Sequence, residues 1–223
     1  YALVGSHIKI IDKNILYFPT TDEAARVFML AAPPVSHPAV MIRASVLKIN
    51  GLLYQLDYKH AEDYGLWINL CKYGKIGNIN EVLLDYRKHD TQYSMAFKSG
   101  MSETSWRVKK EYLHILDRNW DEEKKELFLK IFNLAPFQTK KELAEAGKLL
   151  EHIEELFIGS GLNNTELKKL AKTRWKRLCV TFAKNRHKGA YKIFLNNSLS
   201  KPISTKTRLW FLKQFVRNIF IAN

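Results

Sequence analysis

Near Ser94 the chain changes its hydrophobic period, and that change constrains its architecture more than any single motif. Before it, short β-branched runs alternate with short helical patterns, as in a layered α/β sheet. After it, apolar residues recur at three- and four-residue spacing almost to the end, as in Leu127, Ile131 and Leu134, or Leu149, Ile153 and Leu156. The chain therefore divides into an α/β segment, residues 1–100, and an α-helical, basic extension, residues 101–223.

Within the first segment, residues 1–18 read as a strand pair turning at Asp12-Lys13-Asn14. Thr21 and Asp22 open a short helix through Ala24, Val27 and Leu30, which Pro33-Pro34 ends. Ala39-Val40-Met41-Ile42 reads as a buried strand closed by Arg43. Ser45 is placed to cap a helix that Asn50-Gly51 stops. A helix from Glu62 to Tyr73 ends on Gly74 as a left-handed C-cap. Two short strands follow, over 76–79 and 82–86. In the extension, helices are predicted over 103–133, 139–158, 163–187 and 204–221.

Charge is unevenly distributed. Of the formal net charge of +14, residues 1–100 contribute little, with 11 Lys and Arg against 9 Asp and Glu. Residues 165–223 carry 15 Lys and Arg against Glu166 alone. Such asymmetry points to an anionic partner surface, either nucleic acid or membrane. Two cysteines, Cys71 and Cys179, make no disulfide framework, so a reducing compartment is expected. No signal-peptide pattern is visible. The run Val27–Val35 is too short and too proline-rich to span a bilayer.

The segment His60-Ala-Glu-Asp-Tyr-Gly-Leu-Trp67 sets adjacent carboxylates, Glu62 and Asp63, at a helix start ahead of an apolar stripe. The positive end of the helix dipole favours a charged carboxylate there. Such a group suits a general base, though acidic residues in a first turn are also ordinary helix chemistry. His37, before Pro38, either lines a cleft or makes a local loop hydrogen bond. Arg87 either meets a phosphate or pairs with a carboxylate such as Asp85.

Four segments in order resemble the second half of a family-2 glycosyltransferase catalytic domain. They are Ala2–Ser6 with Ile11-Asp12; His37-Pro-Ala-Val-Met-Ile-Arg43; His60–Trp67; and Glu81-Val-Leu-Leu-Asp-Tyr-Arg-Lys-His89 with Gln92 and Ser94. The resemblance covers residues 1 to about 95. It implies the C-terminal portion of a GT-A, Rossmann-like nucleotide-sugar transferase domain, followed by the helical extension. It also implies inverting transfer of a sugar from a nucleotide-sugar donor to an acceptor hydroxyl, in cell-surface polysaccharide or lipopolysaccharide synthesis. Asp63 would be the base, and Glu62 would orient the acceptor or the base. His37, Arg43, Gly51, Tyr54, His60, Trp67 and Arg87 would contact substrate. The segment Asn50–Tyr54 would be the acceptor loop, with one glycine where two are common. His89 would ligate a divalent cation, Mn or Mg, that stabilises the leaving nucleoside diphosphate. Against alternatives at a plain strand end, its Tyr86-Arg-Lys-His89 context favours the ligand role. Gly65 stands where the family often has aspartate.

The family's nucleotide-binding half, with its Asp-x-Asp motif, is expected ahead of Tyr1, because no Asp-x-Asp occurs in these 223 residues. Alone, the chain is then expected neither to hold donor nor to turn over. Residues 165–223 mix Lys and Arg with Trp, Phe and Leu. They either dock on an anionic membrane, suiting a cytoplasmic enzyme on the inner face with a saccharide or lipid-linked acceptor, or pack on the catalytic domain with solvated cations. A non-catalytic basic module binding nucleic acid is the competing class, but no nucleic-acid motif supports it.

Overall fold

The computed structural model describes residues 1–87, 98–116, 120–185 and 189–201, and within the tail residues 205, 207, 209, 210 and 213. They form two compact units, Tyr1–Arg118 and Asn119–Asn223.

The first unit is organised on one strand. β1 (Leu3–Ile10) turns through Asp12, at φ 59°, into β2 (Ile15–Leu16), as the turn residues predicted. β2 pairs antiparallel with the far half of β1, and β3 (Met41–Ile42) with its near half. β4 (Ile76–Tyr86) runs parallel along the whole of β1, on its other edge. Predicted as two strands, β4 is continuous, because bulges opposite Ser6, His7 and Ile8 absorb its extra residues. Buried His7 pins the bulge. Its Nδ1 accepts from the Phe18 N–H at 3.2 Å, so its Nε2 carries the proton and donates to Asn80 Oδ1 at 3.0 Å.

α1 (Asp22–Phe28) begins where the sequence places it, with Thr21 Oγ1 accepting from the Ala24 N–H at 3.2 Å. The predicted buried strand over 39–42 is not formed. His37–Ala39 is a 3₁₀ turn, and only Met41 and Ile42 pair, with Met41 79% exposed. α2 (Ala44–Ile49) starts one residue before Ser45, with Arg43 at the N-cap position and no side-chain cap. It ends as expected at Asn50, followed by Gly51 at φ 59°.

α3 (Glu62–Leu70) is buried on nearly every side, including Tyr64, Leu66, Trp67, Ile68 and Leu70. It stops at Cys71, before Gly74. The Arg26 guanidinium caps this end, donating to the carbonyls of Cys71 at 2.7 Å and Gly74 at 3.3 Å while paired to Asp22 at 2.8 Å. Gly74 is no left-handed cap. It is glycine because an added Cβ would lie 2.9 Å from the Ala2 Cβ and 3.2 Å from the Ala2 nitrogen. α4 (Lys98–Leu116) belongs to this unit, its Tyr112 hydroxyl donating to the Arg26 carbonyl at 3.0 Å.

The helix predicted over 103–133 is thus two. In the second unit α5 (Glu122–Phe132) has its own cap, Asp121 accepting from the Glu123 N–H at 2.8 Å. α6 (Lys140–Glu151) opens with a capping box between Thr139 and Glu142, and a 3₁₀ turn, Glu155–Phe157, replaces the rest of the predicted 139–158 helix. α7 (Asn164–Lys184) is the long central helix, and α8 (Ala190–Asn196), which periodicity alone did not predict, follows it. Phe128 stacks on Phe132 at 4.1 Å, and Trp175 is buried with its indole donating to Ser200 Oγ at 3.0 Å. Gly147 admits this packing, since a Cβ there would meet the Trp175 ring at 2.9 Å. Arg174, expected on the cationic surface, is instead buried, its guanidinium 5.6 Å above the Phe132 ring. Of the predicted helix 204–221, only the five tail residues named above are described, and all are helical.

Candidate functional site

The site is built on the N-terminus of α3. Asp63 Oδ1 accepts from the Tyr64 N–H at 2.7 Å, which fixes the carboxylate at the helix start. Burial of the helix makes this a rigid mount. Tyr64 reaches back to the Met29 carbonyl, and Arg26 holds the other end. The sequence suggested a carboxylate biased toward its charged form. The net effect is opposite: burial pushes the Asp63 carboxyl above the ordinary value, and repulsion from Glu62 adds to that. The Tyr64 N–H and the nearby His37 work against the shift without cancelling it.

Four other residues singled out from the sequence converge on Asp63. His37 Nε2 and the Tyr54 hydroxyl are 3.0 Å apart, and the His37 ring lies edge-on to Trp67 with centroids 6.0 Å apart. The Tyr54 hydroxyl is raised above the usual phenol range by burial and then by the charges of Asp63 and Glu62, so it stays protonated. His37 is therefore no isolated loop histidine. It sits between Tyr54 and the buried ring of Trp67. Glu62 Oε2 and Trp67 Nε1 are buried with no hydrogen-bond partner among the described residues, a costly state that a water, an ion or a ligand group would relieve.

Loop placement explains the convergence. Buried Asn78 of β4 donates to the carbonyls of Pro19 at 2.7 Å and Pro34 at 2.9 Å, anchoring the loop that carries His37. Gly51 needs its left-handed φ of 59° but has nothing among the described residues within 4 Å of a would-be Cβ, so it serves the turn. His60, half-buried at φ 74°, holds a conformation uncommon outside glycine two residues before the acidic pair.

Other expected contacts lie apart from this cluster. Arg43 is exposed, its Nε donating to the Tyr1 carbonyl at 3.0 Å, so its described role is to tie β3 to the start of β1. Arg87 is exposed just past β4. His89 lies outside the described residues. Among the described residues no three His, Cys, Asp or Glu side chains come together to hold a metal.

Sequence reasoning missed Tyr58 and Glu111. Tyr58 is buried against the α3 backbone at Gly65, and its hydroxyl donates to the Glu111 carboxylate of α4. Burial, and then that bond, push the Tyr58 hydroxyl far above its ordinary value. The only signal in the sequence was Gly65 itself, a helix-weakening residue in mid-helix.

Over 112 residues the chain is 32% identical to an uncharacterized glycosyltransferase of Haemophilus influenzae, a match covering 49% of this chain and 33% of that protein. The chain thus spans about a third of the length of that curated relative. No family model and no solved structure matches it. Half of the chain is therefore similar to a glycosyltransferase, in a mixed α/β and helical protein.

Proposed function

We propose that this chain is the acceptor-side part of an inverting, family-2-type hexosyltransferase of GT-A fold, acting in cell-envelope polysaccharide synthesis at the cytoplasmic side. The observation that carries the reading is the gathering of His37, Tyr54 and Trp67 around Glu62 and Asp63 on a rigid helix start. The likeness to a glycosyltransferase supports it.

In this reading the acceptor hydroxyl lies against Asp63. Its proton passes to the Asp63 carboxylate as its oxygen bonds to the anomeric carbon of the donor sugar. The bond from that carbon to the nucleoside diphosphate breaks, and the electron pair leaves with the phosphate. The upward shift of Asp63 helps, because a base whose affinity for the proton is nearer to neutrality removes it more effectively. Tyr54 and His37 orient the acceptor by hydrogen bonds, Trp67 offers its indole N–H, and Glu62 holds a second hydroxyl. A divalent cation on the donor phosphates, with His89 as a ligand, belongs to the same proposal. The described residues supply no cluster for it, so no step above passes through it.

The test uses the longer protein that contains this chain. Acceptor-dependent release of nucleoside diphosphate from a nucleotide sugar is the expected result. A longer protein that binds no nucleotide sugar would overturn the reading.

A further inference from the structure

In the second unit, α7 and the turn after α5 border an open groove of about 620 Å³, lined by Leu134, Thr173, Lys176, Arg177, Val180 and Thr181. That volume is within the range of small-molecule sites. Two features make it more than a solvated helix face. The first is Leu134, which takes φ 54° directly after the C-cap of α5, where glycine or asparagine is usual. The Leu134 N–H donates to Ile131 and the Ala135 N–H to Lys130, at 3.2 and 3.0 Å, so the left-handed turn is complete. A strained leucine there places an aliphatic side chain on the groove wall.

The second feature is charge. Lys168 and Lys169 on the same helix are paired, to Glu154 and Glu166 at 3.0 Å each. Lys172, Lys176 and Arg177 are exposed with no acidic partner among the described residues. Of these, Lys176 and Arg177 lie on the groove wall. The chemistry that fits is an anionic head on an apolar body: phosphate oxygens toward Lys176 and Arg177, hydrocarbon over Leu134 and Val180. A nucleic acid fits less well, because Trp175, Phe182 and Phe194 of this unit are buried and offer no stacking platform.

We propose that this groove seats anionic phospholipid head groups and docks the α7 face on a lipid bilayer, independently of the transfer chemistry. The test is co-sedimentation of residues 1–223 with phosphatidylcholine vesicles with and without phosphatidylglycerol. Binding is expected only with phosphatidylglycerol, weakening as salt rises. Lys176→Ala with Arg177→Ala should lower partitioning about thirtyfold, from the weight of a basic residue at an anionic surface. Leu134→Gly relieves the backbone strain and so keeps the fold, yet should lower partitioning severalfold. Lys168→Ala with Lys169→Ala should change it little, and Asp63→Asn not at all. Groove variants that partition like the parent would overturn the proposal. So would an oligonucleotide complex without vesicle binding.

Discussion

Gly65→Ala separates helix propensity from packing, because the two give opposite signs. Propensity alone favours alanine in mid-helix by about 1 kcal/mol. In the structure a Cβ at this position would stand 2.2 Å from Tyr58 Cδ2, 2.8 Å from Cε2 and 3.1 Å from Cγ. These atoms belong to the body of a buried ring, not to the free end of a flexible chain. Reaching ordinary contact needs a retreat on the order of 1 Å. Overpacking of that kind costs about 1–3 kcal/mol. The retreat also strains the Tyr58–Glu111 bond, and a hydrogen bond to a charged group is worth about 1.5–3 kcal/mol. Set against the propensity gain, the net loss should be about 2 kcal/mol, or roughly 4–8 °C in Tm for a chain of this size. Thermal melts of the four proteins in a cycle with Tyr58→Ala measure the coupling, expected near 2–3 kcal/mol. With Tyr58 removed, Gly65→Ala should become neutral or stabilising. A Gly65→Ala protein that melts above the parent would refute the wedge.

Other outcomes follow from the same geometry. Asp63 has a raised carboxyl in the fold, so the folded state loses stability as pH rises through the unfolded value of 3.8 toward the higher folded one. Asp63→Asn should therefore melt above the parent at pH 7, with the gap closing as pH falls toward 4; a gap independent of pH would count against the burial of Asp63. Thr139→Ala removes the capping box of α6 and should cost about 1 kcal/mol in chemical denaturation. Burial raises the Cys71 thiol to about 11, so it should resist alkylation at pH 8 in the native protein and react on unfolding.

Local chemistry was legible where short-range rules decide the outcome. The Asp12-Lys13-Asn14 turn, the Thr21 cap and the helix start at Glu62 all depend on neighbours within a few residues. Elements set by distant partners were not. The union of two predicted strands into β4 depends on β1, some 70 residues earlier, and on the His7–Asn80 bond at its bulge. Gly74 looked like a cap but is glycine because Ala2 crosses it. Met41, apolar in a strand-like run, is exposed because only two residues of that run find a partner on β1. At the site, the acidic pair and its companions were singled out by the family resemblance and not by residue type. Their convergence could not be, since it rests on Asn78 anchoring the Pro34 loop. The sign of the Asp63 shift was misjudged for a related reason: a helix dipole is local, whereas burial is a property of the whole unit.

The role proposed for Asp63 is tested most directly in a protein that joins this chain to the proposed nucleotide-binding half, by comparing Asp63→Asn with the parent for sugar transfer and for nucleotide-sugar affinity. Loss of a general base should lower the transfer rate by about 10²–10⁴-fold while donor affinity stays unchanged. Transfer near the parent rate, with donor binding intact, would contradict the assignment.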